Sequence, residues 1–212
     1  MDLLFFADDH KTGIKIKRPL FLPGAGNPEL SRVMNRKLST AELQRPSPQD
    51  FAHQAKLPVR VLLDNVRSLN NVGSVFRSSD AFLVEKIYLG GITAQPPHRE
   101  IQKTALGATE TVAWEHHKDT VALIRQLKAE GVEIIAVEQT EQSESLAQFT
   151  VHADRPVVFI IGNEVFGVSD ALVELADRCV EVPQFGTKHS LNLSVCTGIL
   201  LWTACHQLKK LS

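Results

Sequence analysis

Three short stretches of this chain bring together side chains whose types and spacing suit the handling of a ligand and its charge. In DNVRSLNNVGSVFRSSDAF (residues 64–82), Asn71 and Gly73 are expected to open a helix whose free amides can hold an anion. Arg77 follows six residues after Asn71, nearly two turns along and on much the same side, so that two amide side chains and a guanidinium can converge. The plainer alternative makes Asn71 a helix cap and gives Arg77 a surface ion pair. In FIIGNEVFGVSDALVELAD (159–177), an apolar run ends in Gly162, Asn163 and Glu164, followed by Gly167 and a helix capped by Ser169 or Asp170. Glycine lets backbone approach a ligand closely, and a carboxylate at the mouth of a buried strand is costly to dehydrate unless something meets it. The alternative is a solvated turn with an exposed acid. In VEVPQFGTKHSLNLSVCTGILLW (180–202), Ser190 and Asn192 flank Leu191 immediately before an apolar helix. One polar residue suffices for a cap, so a pair exceeds what capping requires.

These stretches depend on the elements that carry them. From about residue 57 onward, apolar runs of strand length alternate with amphipathic segments: 59–65, 86–91, 111–116, 132–139, 156–164 and 179–183. That alternation implies a parallel sheet wrapped by helices, in which each of the three stretches falls where a strand ends and the chain turns, the usual ligand position in open α/β sheets. Residues 119–130 read as a packing helix, with Asp119 as its cap, Val121, Ile124 and Leu127 on one face, and Gly131 at its end. The helix at about 191–208 has little polar face, so it requires cover on several sides, from its own chain or from a second copy. Before residue 57 the chain is broken by Pro19, Pro23, Pro28, Pro46 and Pro48. It reads as an extension of short helices and loops, with Asn27-Pro28 opening one helix and Ser39 capping another. The expected organisation is an extension over 1–57 and one α/β domain over 58–212.

Composition sets the outer bounds. The 212 residues are 43% hydrophobic and 22% charged, enough for one α/β domain with a real core. A net charge of −1 carries no global signature of a nucleic-acid partner. The exception is local: Lys11, Lys15, Lys17, Arg18, Arg32, Arg36 and Lys37 face the single acid Glu29, which suits either an RNA-contacting arm or a solvated surface. Cys179, Cys196 and Cys205 lack the pairing or spacing of a disulfide framework or thiolate metal site. His116 and His117 are adjacent on a strand end and so face opposite ways, and no metal site is expected. No apolar run approaches the roughly 18 residues of a membrane span, and the acids in MDLLFFADDHKTG do not suit a signal peptide, so the expected compartment is the cytoplasm.

Taken in order, NNVGSVFR, FIIGNEVFG and VPQFGTKHSLNLSV resemble the SpoU or TrmH family of SPOUT-superfamily RNA 2′-O-ribose methyltransferases, over about residues 59–210. The resemblance implies S-adenosylmethionine as cofactor, tRNA or rRNA as substrate, a homodimer with its site near the subunit interface, and a C-terminal trefoil knot. Carried over by motif, Asn71, Arg77, Glu164, Ser190 and Asn192 fall on catalytic positions, and Gly162, Val182 and Leu191 on cofactor-binding positions. Asn163 stands where a small residue is common in the family, and the 184–189 loop holds Phe185, Lys188 and His189, which blurs substrate choice. The extension over 1–57 matches no substrate domain.

A guanidinium stays protonated under almost all conditions, so two roles remain open for Arg77: the base itself, or a group that aligns a phosphate and stabilises the oxygen as its proton leaves. Nucleotide-binding oxidoreductases and NTPases are disfavoured, because neither G-x-G-x-x-G after the first strand nor G-x-x-x-x-G-K-[ST] occurs. The alternative from another class is a non-catalytic RNA-binding homologue of the same fold.

Overall fold

The computed structural model describes residues 36–209, which fall into one unit ending at Arg45 and another beginning at Pro46. In the first, a short 3-10 helix spans Ala41–Leu43. Its N-cap is Thr40, and Ser39 is not the cap: the Ser39 amide and hydroxyl both donate to the Glu42 carboxylate at 2.8 Å. Arg36 grips the same carboxylate bidentately at 2.7 and 3.0 Å, and together these donors hold Glu42 down to about 2. One of the cations counted in the basic segment is therefore already paired. Residues 10–35 of that segment, with the Asn27-Pro28 helix start, lie outside the described residues.

In the second unit, α1 (Pro48–His53) starts on Ser47, whose hydroxyl accepts from the Asp50 amide, with proline in the first turn where no amide is missed. The remaining elements are β1 (Leu57–Asp64), α2 (Leu69–Ala81), β2 (Val84–Gly90), α3 (Arg99–Ala105), α4 (Ala108–Thr111), β3 (Ala113–His117), α5 (Thr120–Ala129), β4 (Glu133–Val137), β5 (Glu144–Ser145), β6 (Val157–Ile161), α6 (Asp170–Leu175), β7 (Arg178–Glu181) and α7 (Leu193–Lys209). The expected α/β class with a parallel sheet flanked by helices is what forms. Seven strands lie in the order β3-β2-β1-β6-β4-β7-β5, and every pairing between them is parallel.

Strand alternation divides the core. Val59, Val61 and Leu63 of β1, with Val157, Phe159 and Ile161 of β6, face one cluster that includes Val72, Phe76, Ile101, Leu200 and Leu201 from α2, α3 and α7. Leu62, Val158 and Ile160 face the other, with Leu123, Ile124 and Leu127 of α5 and Leu172 of α6. α5 is capped by Asp119 accepting from the Ala122 amide, and Gly131 follows it at φ +81°. The 111–116 run divides, Thr111 ending α4 and the strand starting at Ala113. β5 had no signal, because two residues carry no periodicity.

Sheet order fixes where ligands can bind. β1 leads to β2 and β3 on one side while β6 and β4 lie on the other, so the carboxyl ends of β1, β6 and β4 surround the point where the winding reverses. α7 packs on α2 and β1, although the strand before it, β7, lies beyond β4. Its buried side carries Leu193, Thr197, Leu200, Leu201, Ala204 and Cys205, whereas Val195, Ile199 and Trp202 form an exposed apolar stripe, Trp202 being 53% exposed. Among the described residues, cover therefore reaches only one side. Among the described residues no helix is long and apolar enough to cross a membrane.

Candidate active site

The N-terminus of α2 is organised by Ser68, whose hydroxyl accepts from the Asn71 amide at 3.3 Å. The helix thus starts at Leu69, and neither Asn71 nor Gly73 opens it. Gly73 serves packing: a Cβ there would collide with Thr104 Oγ1 and the Ile101 carbonyl of α3. Relieved of capping, the Asn71 side chain, 8% exposed, points to other elements. Its Nδ2 donates to Glu164 at 3.0 Å and its Oδ1 accepts from Asn192 Nδ2 at 3.2 Å. Asn192 in turn accepts from the Ser194 amide at 3.0 Å, so the residue that caps α7 also reaches α2.

Glu164 is met as a carboxylate at a strand mouth must be. The Arg67 and Ser68 amides donate to it at 3.1 and 3.0 Å, beside Asn71. Burial pushes its carboxyl up, but the donors from Arg67, Ser68 and Asn71 outweigh burial and hold it below the usual carboxylate range. The acid is exposed, as the solvated-turn alternative expects, but it is not idle: it ties its own hairpin to the 67–71 segment, distant in sequence.

Gly162 to Gly167 form a tight hairpin in which the Asn163 amide donates to the Gly167 carbonyl at 2.8 Å and the Gly167 amide returns a bond at 3.0 Å. A Cβ on Gly162 would strike the backbone of Gly167 and Val168, so glycine is required by the chain itself. Asn163 Nδ2 donates to the Asn65 carbonyl at 2.7 Å, and its Oδ1 accepts from the Val165 and Phe166 amides. The hairpin is thereby tied to the end of β1. At the next helix, Ser169 holds the N-cap position of α6 without a side-chain cap bond.

Beside this hairpin lies a cleft of about 540 Å³ whose lining includes Gly162, Glu164, Val182, Ser190, Leu191 and Asn192. Six of the eight expected site residues therefore converge, and Asn71 adjoins them through Glu164 and Asn192. Arg77 does not line the cleft. Six residues at 100° each put it about 120° round the helix from Asn71, not on the same side; Asn71 is buried and Arg77 is exposed, without a hydrogen bond to any described residue. Glu138 escaped notice in the sequence. Its carboxylate accepts from the Val168 and Gln139 amides at 2.9 Å each, on the cleft wall against Gly167. A lone acid after a strand carries no spacing signal by which to find it.

Among the described residues the cleft is lined by three carboxylates, Glu138, Glu164 and Glu181, and by no lysine or arginine. That suits a ligand bearing positive charge and opposes a phosphate. Burial, and then the Glu138 carboxylate, push the Cys196 thiol up, which removes a thiolate nucleophile from the site. Among the described residues no group of His, Cys, Asp and Glu can hold a metal ion; His116 is 2.9 Å from the Gly91 carbonyl and His117 2.9 Å from Glu115.

The family model described as SpoU rRNA Methylase matches residues 58–202, the span that contains every one of these side chains. The chain belongs to the SpoU rRNA methylase family. Among relatives, it is 32% identical over 148 residues to the tRNA (guanosine(18)-2′-O)-methyltransferase of Aquifex aeolicus, covering 69% of this chain and 68% of that one. It is 29% identical over 146 residues to the 23S rRNA (guanosine-2′-O-)-methyltransferase RlmB of Neisseria meningitidis, covering 68% of this chain and 56% of the relative. Among solved structures, the AdoMet-bound rRNA methyltransferase from Sinorhizobium meliloti superposes with a TM-score of 0.67 at 29% identity, over 80% of this chain and 62% of that one. This SpoU-family chain thus spans a little over half the length of some relatives and about two thirds of others.

Proposed function

We propose that this chain is an S-adenosylmethionine-dependent methyltransferase that modifies a ribose 2′-hydroxyl of tRNA or rRNA. The observation that carries the proposal is the hydrogen-bonded series from the 67–68 amides through Glu164 and Asn71 to Asn192, which joins three separated motifs at one cleft. The names of the two relatives support the reaction, and the AdoMet-bound neighbour supports the cofactor. The cleft fits that cofactor. Three carboxylates suit a sulfonium and an ammonium group, and the glycine hairpin admits backbone recognition, with Gly162, Val182 and Leu191 as the holding positions. S-Adenosylmethionine, when bound, supplies a methyl group on an excellent leaving group, so the protein must position the hydroxyl and assist loss of its proton.

Glu164 fixes the 67–68 loop and the Asn71 carboxamide, while Asn71 and Asn192 hold each other beside Ser190. The Ser190 hydroxyl and the two amides are placed to orient the sugar. Arg77, exposed on α2, grips a phosphate next to the acceptor ribose and stabilises the oxygen as its proton leaves. Because Arg77 does not line the cleft of its own chain, it reaches the site when RNA or a second copy lies over α2.

A homodimer is the second part of the proposal. The exposed Val195, Ile199 and Trp202 stripe on α7 is the surface a second copy covers, next to α2 and the site. The third part is a C-terminal trefoil knot. Residues 182–192 must pass the ends of β4 and β6 to carry the chain from β7 to α7, and Gln139 Nε2 holds that passage by the His189 carbonyl at 3.1 Å. The arm before residue 57 adds RNA affinity, and the cytoplasm is the compartment assigned in this reading. Purified protein incubated with methyl-labelled cofactor and RNA from cells lacking the gene should yield labelled 2′-O-methylnucleosides after digestion. Label on a base alone would reject the ribose assignment.

A further inference from the structure

A second cleft, of about 410 Å³, opens across the 162–167 hairpin at the carboxyl ends of β1 and β6, with Asn163, Phe166 and Gly167 forming a wall common to both clefts. Its floor is largely hydrogen-bonded within the chain, with the Ser169 hydroxyl the exception among the described lining residues. Asp64, 1% exposed, accepts from the Ser169 amide at 3.0 Å and from Asn65 Nδ2 at 2.8 Å, and Asn65 Oδ1 accepts from the Ile92 amide at 3.2 Å. What the cleft offers a ligand is therefore not its floor but three free groups: the apolar faces of Phe166 (83% exposed) and Ile92 (68% exposed), and the Arg67 guanidinium, whose side chain bonds to no described residue. A purely apolar ligand would have no use for the cation, and a lone phosphate none for the two apolar faces. A flat, unstacked base on an anionic backbone uses all three.

Resting on the methyltransferase reading, we infer that this second cleft holds the base of the nucleotide presented for methylation, stacked against Phe166 and Ile92, with Arg67 on the adjoining phosphate. The two clefts then divide the substrates by charge: the carboxylate-lined one takes the cationic cofactor, and the one beside Arg67 takes the polyanion. The backbone of Arg67 is anchored on Glu164, so the cleft wall is registered to the reaction site through a single carboxylate.

The test uses Ile92→Trp, which fills the second cleft from a position that does not line the first, together with Arg67→Ala. Labelled transfer is measured to RNA from cells lacking the gene, with S-adenosylhomocysteine affinity by calorimetry and melting temperature on the same preparations. Transfer should fall roughly ten- to a hundredfold in Ile92→Trp, as displacement of the base from the filled cleft and forfeit of its stacking on Phe166 predict, while product affinity stays within about twofold and melting is unchanged. In wild type saturated with S-adenosylhomocysteine, at least one of the four nucleoside 5′-monophosphates should move the Ile92 δ1-methyl NMR signal saturably. Wild-type-level transfer in both variants, with product binding intact, would overturn the base pocket and leave the enzyme reading standing. Failure of the wild type to bind S-adenosylhomocysteine at all would remove both.

Discussion

Replacing Glu164 by glutamine isolates what one carboxylate contributes to joining two segments of the chain distant in sequence. The side chain keeps its size, but one oxygen becomes an amide that donates where the Arg67 or Ser68 amide also donates. One of three hydrogen bonds is lost outright, and the remaining two lose charge assistance, dropping from the 1.5–3 kcal/mol range toward about 1 kcal/mol. Because Glu164 is exposed to solvent, screening takes the loss below the lower end of those values, about 2.5 kcal/mol, to about 2 kcal/mol. For a domain of this size that lowers the melting temperature by roughly 4–8 °C at pH 7. The depressed carboxyl of Glu164 sets the sign of the pH dependence: its stabilisation is fully present above the unfolded carboxylate value and is lost as pH falls through the lower folded value. The gap between wild type and Glu164→Gln should therefore be widest near neutrality and close under acid. Calorimetric melting from pH 7 down to pH 3 follows this directly. Equal melting temperatures at pH 7, or a gap that persists unchanged into acid, would refute the account of Glu164 as a charged tie.

Arg77→Lys keeps the charge and loses the planar fork, so turnover should fall by roughly two orders of magnitude with melting temperature unchanged, as single-turnover transfer and calorimetry can establish. Mixing Arg77→Ala subunits with Asn192→Ala subunits should restore part of the activity if Arg77 acts across a dimer; inactivity of every mixture places it in its own chain's site. Gly162→Ala forces the hairpin apart and should abolish measurable S-adenosylhomocysteine binding in calorimetry while leaving secondary structure by circular dichroism in place. Reversing Lys15, Lys17 and Arg18 should weaken RNA binding and flatten its salt dependence; Arg36, paired with Glu42, should contribute less than its neighbours.

The sheet was legible because buried parallel strands read as short apolar runs bounded by turn residues; all six expected runs overlap strands, five of them within two residues at both bounds, while the 156–164 run overshoots β6 by three residues into the Gly162 hairpin. Residues 111–116 straddle a helix end and a strand start, and no apolar contrast separates Thr111 from Ala113. Much of the candidate site was legible too, since Gly162, Glu164, Val182, Ser190, Leu191 and Asn192 stand at strand ends that the topology draws together. The errors concern direction. A helix cap is decided by which hydroxyl reaches which amide, and Ser68 took the position assigned to Asn71. The angular placement of Arg77 could have been worked out from the helical repeat. Glu138 and the second cleft were invisible, because both arise from loops that meet only once the strands are side by side.

The central claim is that the series from Glu164 through Asn71 to Asn192 orients a ribose hydroxyl for methylation. The most direct measurement is a transcriptome-wide map of 2′-O-methyl sites in cells carrying the gene, lacking it, or expressing Asn192→Ala at equal protein level. The account predicts at least one tRNA or rRNA ribose that is methylated only with the wild-type protein, absent in the null and in Asn192→Ala alike. Identical maps in the three strains would contradict it.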